Sequence, residues 1–217
     1  MEGADVRWSA NDALGIFSGT KFVNAKFTTK DDNAASATFT GDATDAEGTE
    51  AAKAFAYYPY AAGATLEGTT VSGLEIPAVQ TFAEGTFATT LNPMAAVGED
   101  HTSLAFRSVG AVLRFKLTGT DTFNKLILTG NNDESIAGAY ALDFSGEVPA
   151  MTFSGEGKSI TVTCASDVTL KTDVATEVHF VVPAGIEFTK GVSLKIVHSY
   201  YSWDAGCLLY TSDAADE

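Results

Sequence analysis

Apolar and polar residues alternate along much of this chain with a period of two. Tyr140, Leu142 and Phe144 fall on one side of a run whose other side holds Ala141 and Asp143. Ile160, Val162 and Cys164 alternate with Thr161 and Thr163, Val178, Phe180 and Val182 share a face, and so do Val192, Leu194 and Ile196. "LRFKL" (113–117) alternates apolar with basic. This is the pattern of strands with one face buried and one wet, and it predicts short antiparallel strands packed as two-sheet sandwiches. Turn-forming clusters separate the runs at 119–121, 130–133, 146–149, 155–157 and 183–185. Apolar residues seldom recur at helical spacing. The first half is less regular, with strands expected at 13–17, 21–28, 37–41, 53–60 and 81–89. "NPMAAVGEDHTS" (92–103) carries Pro and Gly and reads as a polar separator. It divides the chain into an N-terminal sandwich at 1–98 and a C-terminal one at 99–206, each of ordinary domain size.

The 217 residues include fourteen Phe and seven Tyr, enough for a real core. Charge is lopsided, with 13 Lys plus Arg against 28 Asp plus Glu and a net −15. Such a chain is not expected to bind nucleic acid, which is held by neutralising its phosphates, or an anionic membrane surface. No apolar run reaches the roughly 20 residues of a spanning helix.

Candidate chemistry is sparse. His101, His179 and His198 have no metal-ligand spacing. His101 falls in the separator. His179 lies opposite the Val178/Phe180 face and is expected to be exposed. His198 continues the Val192/Leu194/Ile196 face near its end. "GDATDAEGTE" (41–50) fails as a calcium loop: with Gly48 at the sixth place, the first and twelfth ligands would be Ala43 and Ala54. "GNNDESIAG" (130–138) offers ligands in no matching register. There is no nucleophile elbow, phosphate loop or dinucleotide fingerprint. No catalytic, metal or cofactor residue is assigned, and the chain is not expected to be an enzyme. Cys164 reads as a buried small residue, Cys207 lies in the tail, and no disulfide between them is expected.

"KAFAYYPYA" (53–61) stands out. Closed by Pro59, which cannot donate into a ladder, it is expected to be an edge strand or a strand end. One of Tyr57 and Tyr58 should pack inward while the other faces out. The sharper alternative is an exposed aromatic surface for carbohydrate.

Several segments, in order, resemble the fimbrillin family, pilin-like subunits of the type V fimbriae of Gram-negative gut and oral anaerobes. "WSANDALGIF" (8–17) resembles the family's opening, with Trp8, Asp12 and Gly15 at the matching positions. "AFAYYPY" carries its Tyr57–Tyr58–Pro59 strand, and "LNPMAA" resembles the motif closing the first domain. "LAFRSVGAVLRFKLTG" (104–119), with Phe106 and Phe115, looks like the paired opening strands of the second domain. There the family often has His where this chain has Ser108 or Val109. "FNKLILTG", "IAGAYALDF" and "VHFVVPAG", the last containing Pro183, follow in order. The resemblance implies an all-β chain of two tandem transthyretin-like β-sandwich domains. It implies an outer-membrane lipoprotein precursor exported to the cell surface and a fimbrial subunit that polymerises head to tail by strand donation. It implies other fimbrial subunits as partners, a host protein or glycan as receptor, and no cofactor. The alternative on the same fold is a monomeric surface adhesin or glycan-binding lipoprotein. Arg7 is the only arginine before Trp8, and no processing site is assigned to it.

"SYYSWDAG" (199–206) reads as the approach to a turn, after which further strands are expected. Instead the chain runs into "CLLYTSDAADE" (207–217). One codon choice for these eleven residues matches the read-through of a common transposase-based sequencing adapter. The natural sequence is therefore expected to run only to Gly206, with the second domain C-terminally truncated, the N-terminal signal missing, and residues 207–217 packing poorly.

Overall fold

A computed structural model describes residues 6–41 and 47–198, together with the backbone of 202–207. The fold is all-β, and among the described residues there is no helix. In chain order the strands are β1 (Ala13–Ser18), β2 (Phe22–Thr29), β3 (Phe39–Gly41), β4 (Ala54–Tyr58), β5 (Thr65–Glu67), β6 (Thr70–Ile76), β7 (Val79–Ala83), β8 (Thr86–Phe87) and β9 (Met94–Gly98). There follow β10 (Arg107–Ser108), β11 (Gly110–Leu117), β12 (Thr122–Gly130), β13 (Gly138–Asp143), β14 (Ala150–Phe153), β15 (Ser159–Thr169), β16 (Thr176–Pro183), β17 (Val192–Val197) and β18 (Ser202–Cys207). They form sheets in the orders β10-β9-β4-β1-β2-β3, β14-β13-β6-β5, β18-β17-β12-β15-β7-β8 and β11-β16.

Two compact units emerge, each assembled from three stretches of chain. The first holds residues 1–74, 89–110 and 140–153; the second holds 75–88, 111–139 and 154–217. Gly98, where the sequence suggests a division, ends β9 inside the first unit, and the chain stays in that unit through Gly110.

In the first unit the six-stranded sheet is apolar on both faces. Paired residues share a face: Gly15 with Tyr57, Phe17 with Phe55, and Tyr57 with Ala95 on one side; Ile16 with Ala56, Ala56 with Ala96, and Tyr58 with Met94 on the other. The Gly15/Phe17/Tyr57 face packs on the four-stranded sheet, where Phe55 stacks on Phe144 at 4.9 Å between centroids. Tyr140, Leu142, Val71 and Leu74 complete that core. The Ile16/Ala56/Tyr58 face, joined by Leu14, Phe22 and Ala54, carries a second apolar cluster under Trp8, Phe39, Leu104 and Phe106.

In the second unit Leu126, Leu128, Ile160, Val162, Leu194 and Ile196 supply the buried face of the long sheet. Phe115, Val178, Phe180 and Val182 come from β11 and β16 and are buried too. Phe115 meets Phe180 edge-on at 5.6 Å.

Three expectations are corrected, and one hairpin is added. Residues 92–103 are no mere separator, because Met94–Gly98 is a buried strand paired with β4. Residues 81–89 are not one strand. Ala83 pairs with Thr86, and a two-residue turn with Gly85 at φ +73° folds β8 back on β7. The hairpin of β5 and β6 was not foreseen. Nor is 202–207 a turn approach: it pairs along its length with β17, from Ser202 on Val197 to Cys207 on Val192. The expectation that 207–217 packs poorly falls, beyond Cys207, outside the described residues.

Candidate functional site

The sequence-marked positions gather around the start of the chain. Trp8 bridges Ala34, donating to its carbonyl at 2.8 Å and accepting from its N–H at 3.1 Å. The indole is met edge-on by three rings, Phe39 at 4.9 Å and Tyr58 and Phe106 at 5.3 Å each. Such edge-to-face contacts between a ring's positive rim and another's negative face are favourable beyond the area they bury.

Asp12 holds this segment down. Only 5% exposed, its carboxylate accepts from the Ser9 N–H (2.8 Å) and from the Tyr58 hydroxyl (2.7 Å). The Tyr58 oxygen in turn accepts from the Thr90 N–H at 2.9 Å. Burial, then the adjoining Asp12, pushes the Tyr58 phenol well above its ordinary range, so it stays a donor to the carboxylate. Replacing Asp12 with alanine should destabilise the protein by about 1–3 kcal/mol for each of the two donors left without an acceptor. Asparagine keeps an acceptor oxygen and should cost less. Urea unfolding of the two variants checks this, and equal, negligible losses would contradict it.

Gly15 and Tyr57 are a matched pair. A Cβ on Gly15 would collide with the Tyr57 ring, so the glycine's bareness is what lets the ring lie flat over β1. The Tyr57 hydroxyl bonds Asn24 Oδ1 at 2.6 Å and lies 2.9 Å from the Ala61 carbonyl. Burial raises this phenol to about 12. Tyr57 is 0% and Tyr58 4% exposed. The expectation that one would face out is therefore corrected, and with it the exposed aromatic surface. Both faces of the sheet are covered, so neighbouring residues can both be interior. Pro59 follows the end of β4 as expected, after a cis peptide bond, while β4 itself is central. Phe115 and Pro183 belong to the second unit and are buried there.

Beside Trp8 the second apolar face opens into a cavity of about 610 Å³. Leu14, Ile16, Phe27 and Met94 form its floor on β1, β2 and β9. Trp8, Phe39, Leu104 and Phe106 wall it, and Ser36, Thr38, His101 and Thr102 bring polar atoms. His101 is thus part of this wall. Its Nδ1 lies 2.9 Å from Glu50, which also bonds Lys21 at 2.9 Å, and its ring packs on Phe22. Lys21 first, then His101, holds the Glu50 carboxyl below its usual range.

The other expected features separate. His198 lies 3.9 Å from Asp167. His179 is half-buried, not exposed, and its Nδ1 is enclosed without a partner. Cys164 is half-buried, and burial raises its thiol to about 11, away from reactivity. Among the described residues no group of three or more His, Cys, Asp or Glu could hold a metal ion. Phe39, Leu104 and Met94 were not singled out in the sequence, since the cavity joins β3, β9 and the segment after β9, which are distant from Trp8 along the chain.

No family model, curated protein or solved structure matches the chain.

Proposed function

We propose that this chain is a structural or accessory subunit of a cell-surface fimbria, built on two tandem transthyretin-like sandwiches, exported as an outer-membrane lipoprotein precursor and assembled by strand donation. The observation that carries the reading is the second apolar face of the first unit's six-stranded sheet, with its cavity of about 610 Å³ beside Trp8. Trp8, Phe39, Leu104 and Phe106 cover that face, and the cavity among them leaves room over an apolar floor. An inserted strand from another subunit would fill such a cavity with alternate side chains and satisfy its own backbone on a neighbouring strand. A head-to-tail contact of this kind does not close on itself and yields a filament. The ordered motif resemblance supports the same reading, and the role requires no active site.

The test is assembly. The purified chain, before and after limited proteolysis of its N-terminal segment, is followed by size-exclusion chromatography, electron microscopy and carbene footprinting. Concentration-dependent oligomers or fibres in which Trp8, Phe39 and Phe106 become protected are expected. A chain that stays monomeric after both treatments, with these residues labelled throughout, overturns the reading and favours a monomeric surface adhesin.

A further inference from the structure

The second unit contains an arrangement that strand donation does not explain. The two-stranded sheet leaves one side of β16 without a strand partner among the described residues. That side is closed instead by the hairpin of β7 and β8. Gln80, on β7 and 1% exposed, presents its side-chain amide to the backbone of Val181: its Oε1 accepts from the N–H at 2.9 Å and its Nε2 donates to the carbonyl at 2.7 Å. The N–H and C=O of one strand residue point the same way, so a primary amide pairs with both as a neighbouring strand would. Two residues earlier on β16, the His179 ring lies beside the Thr86 backbone of β8. Its Nδ1 is enclosed and has no partner.

We propose that the β7–β8 hairpin is an acid-releasable latch on β16, with His179 as its trigger. The neutral ring fits this site, because its enclosed Nδ1 can stay bare where no acceptor is offered. A protonated ring carries a second N–H that has no acceptor, and a buried unpaired donor is costly. The charged groups acting on the ring oppose each other. Glu177, on β16 itself, favours the proton, whereas Arg114 on β11 disfavours it. Glu177 is also engaged by Lys116 at 3.2 Å and lies 3.8 Å from Arg114. From β8 the ring meets the uncharged Thr86 backbone. Burial outweighs Glu177 and holds the ring below the usual histidine range. The sign follows: the folded ring binds its proton less readily than an unfolded one, so the latch is at full strength above that range and weakens as pH falls through it. The rest of the clasp is small. β7 pairs with β15 over three residues, Val79 to Thr81, and with β8 over two. Local opening of so short an element is an expected low-energy event. Release would bare the N–H and C=O of Val181 on the outer edge of β16, a site where an extended segment can add.

The test is hydrogen exchange on the intact chain from about pH 8 to about pH 5, corrected for intrinsic rates and referenced to β12 amides. Protection of the 79–87 amides and of Val181 should fall by about tenfold for each pH unit below the titration of one linked proton. In His179→Gln, whose side chain stays polar but does not titrate, protection should stay flat. In parallel, the imidazole titration of His179 in the unaltered protein is followed by NMR, and its midpoint should fall at the low-pH end of the window in which hairpin protection is lost. An equal acid response in the variant, protection unchanged down to about pH 5, or an imidazole titration that does not track the hairpin overturns the proposal.

Discussion

Truncating Tyr57 to alanine is expected to remove about 3–5 kcal/mol of stability, the range for deleting a large buried aromatic ring. The ring is 0% exposed, parallel to Phe17 at 6.2 Å, and seated against a glycine with no side chain to offer. The space left could not be filled from β1, because Gly15 has nothing to rotate into it. Ala95 opposite is equally small. Tyr57→Phe separates volume from polarity. It keeps the ring and gives up the bond to Asn24, at a cost of about 0.5–1.5 kcal/mol. Urea unfolding of the pair should show the alanine variant several-fold worse than the phenylalanine one. Equal losses would mean that the hydroxyl network, rather than packing, holds β4 in place.

The second large effect belongs to Gln80→Leu. Leucine nearly matches the volume but pairs with neither group of Val181, leaving a buried N–H and a buried C=O at about 1–3 kcal/mol each. The loss should be local as well as global. Exchange of the Val181 amide should quicken relative to β12, while the Leu126–Leu128 region opens only with global unfolding. If stability is unchanged, the backbone of β16 finds other partners and the amide is dispensable.

How much of this was legible in the sequence follows from which faces are buried. β13, β15 and β17 show their inward residues by simple alternation, because their other sides are wetter, whereas β16 does so only as far as Phe180, since Val181 and Pro183 are buried as well. β9 was hidden because it is "MAAVG", small residues between a proline and a polar loop. Ala95 lies opposite the bulk of Tyr57, while Ala96 lies opposite Ala56. β7 was blurred for a different reason. Its deepest side chain is Gln80, a polar residue where the pattern expects an apolar one. The Trp8 cluster was partly visible as motif positions. The cavity beside it was not, since it needs Phe39, Met94 and Leu104 brought together from three separate stretches. A buried amide that stands in for a strand leaves no periodic signal.

The interleaving of the two units sets an order of events during synthesis. Because residues 140–153 belong to the first unit, that unit cannot be completed when the chain's first 110 residues have left the ribosome. The β13–β14 hairpin, with Tyr140, Leu142 and Phe144 for its core, has yet to emerge. Meanwhile the β7–β8 hairpin, made early, must wait for β15 and β16. Nascent domains usually fold one after another from the N-terminus. Here each unit waits on chain made after part of the other, so the first can close only once residue 153 has emerged, with much of the second already made.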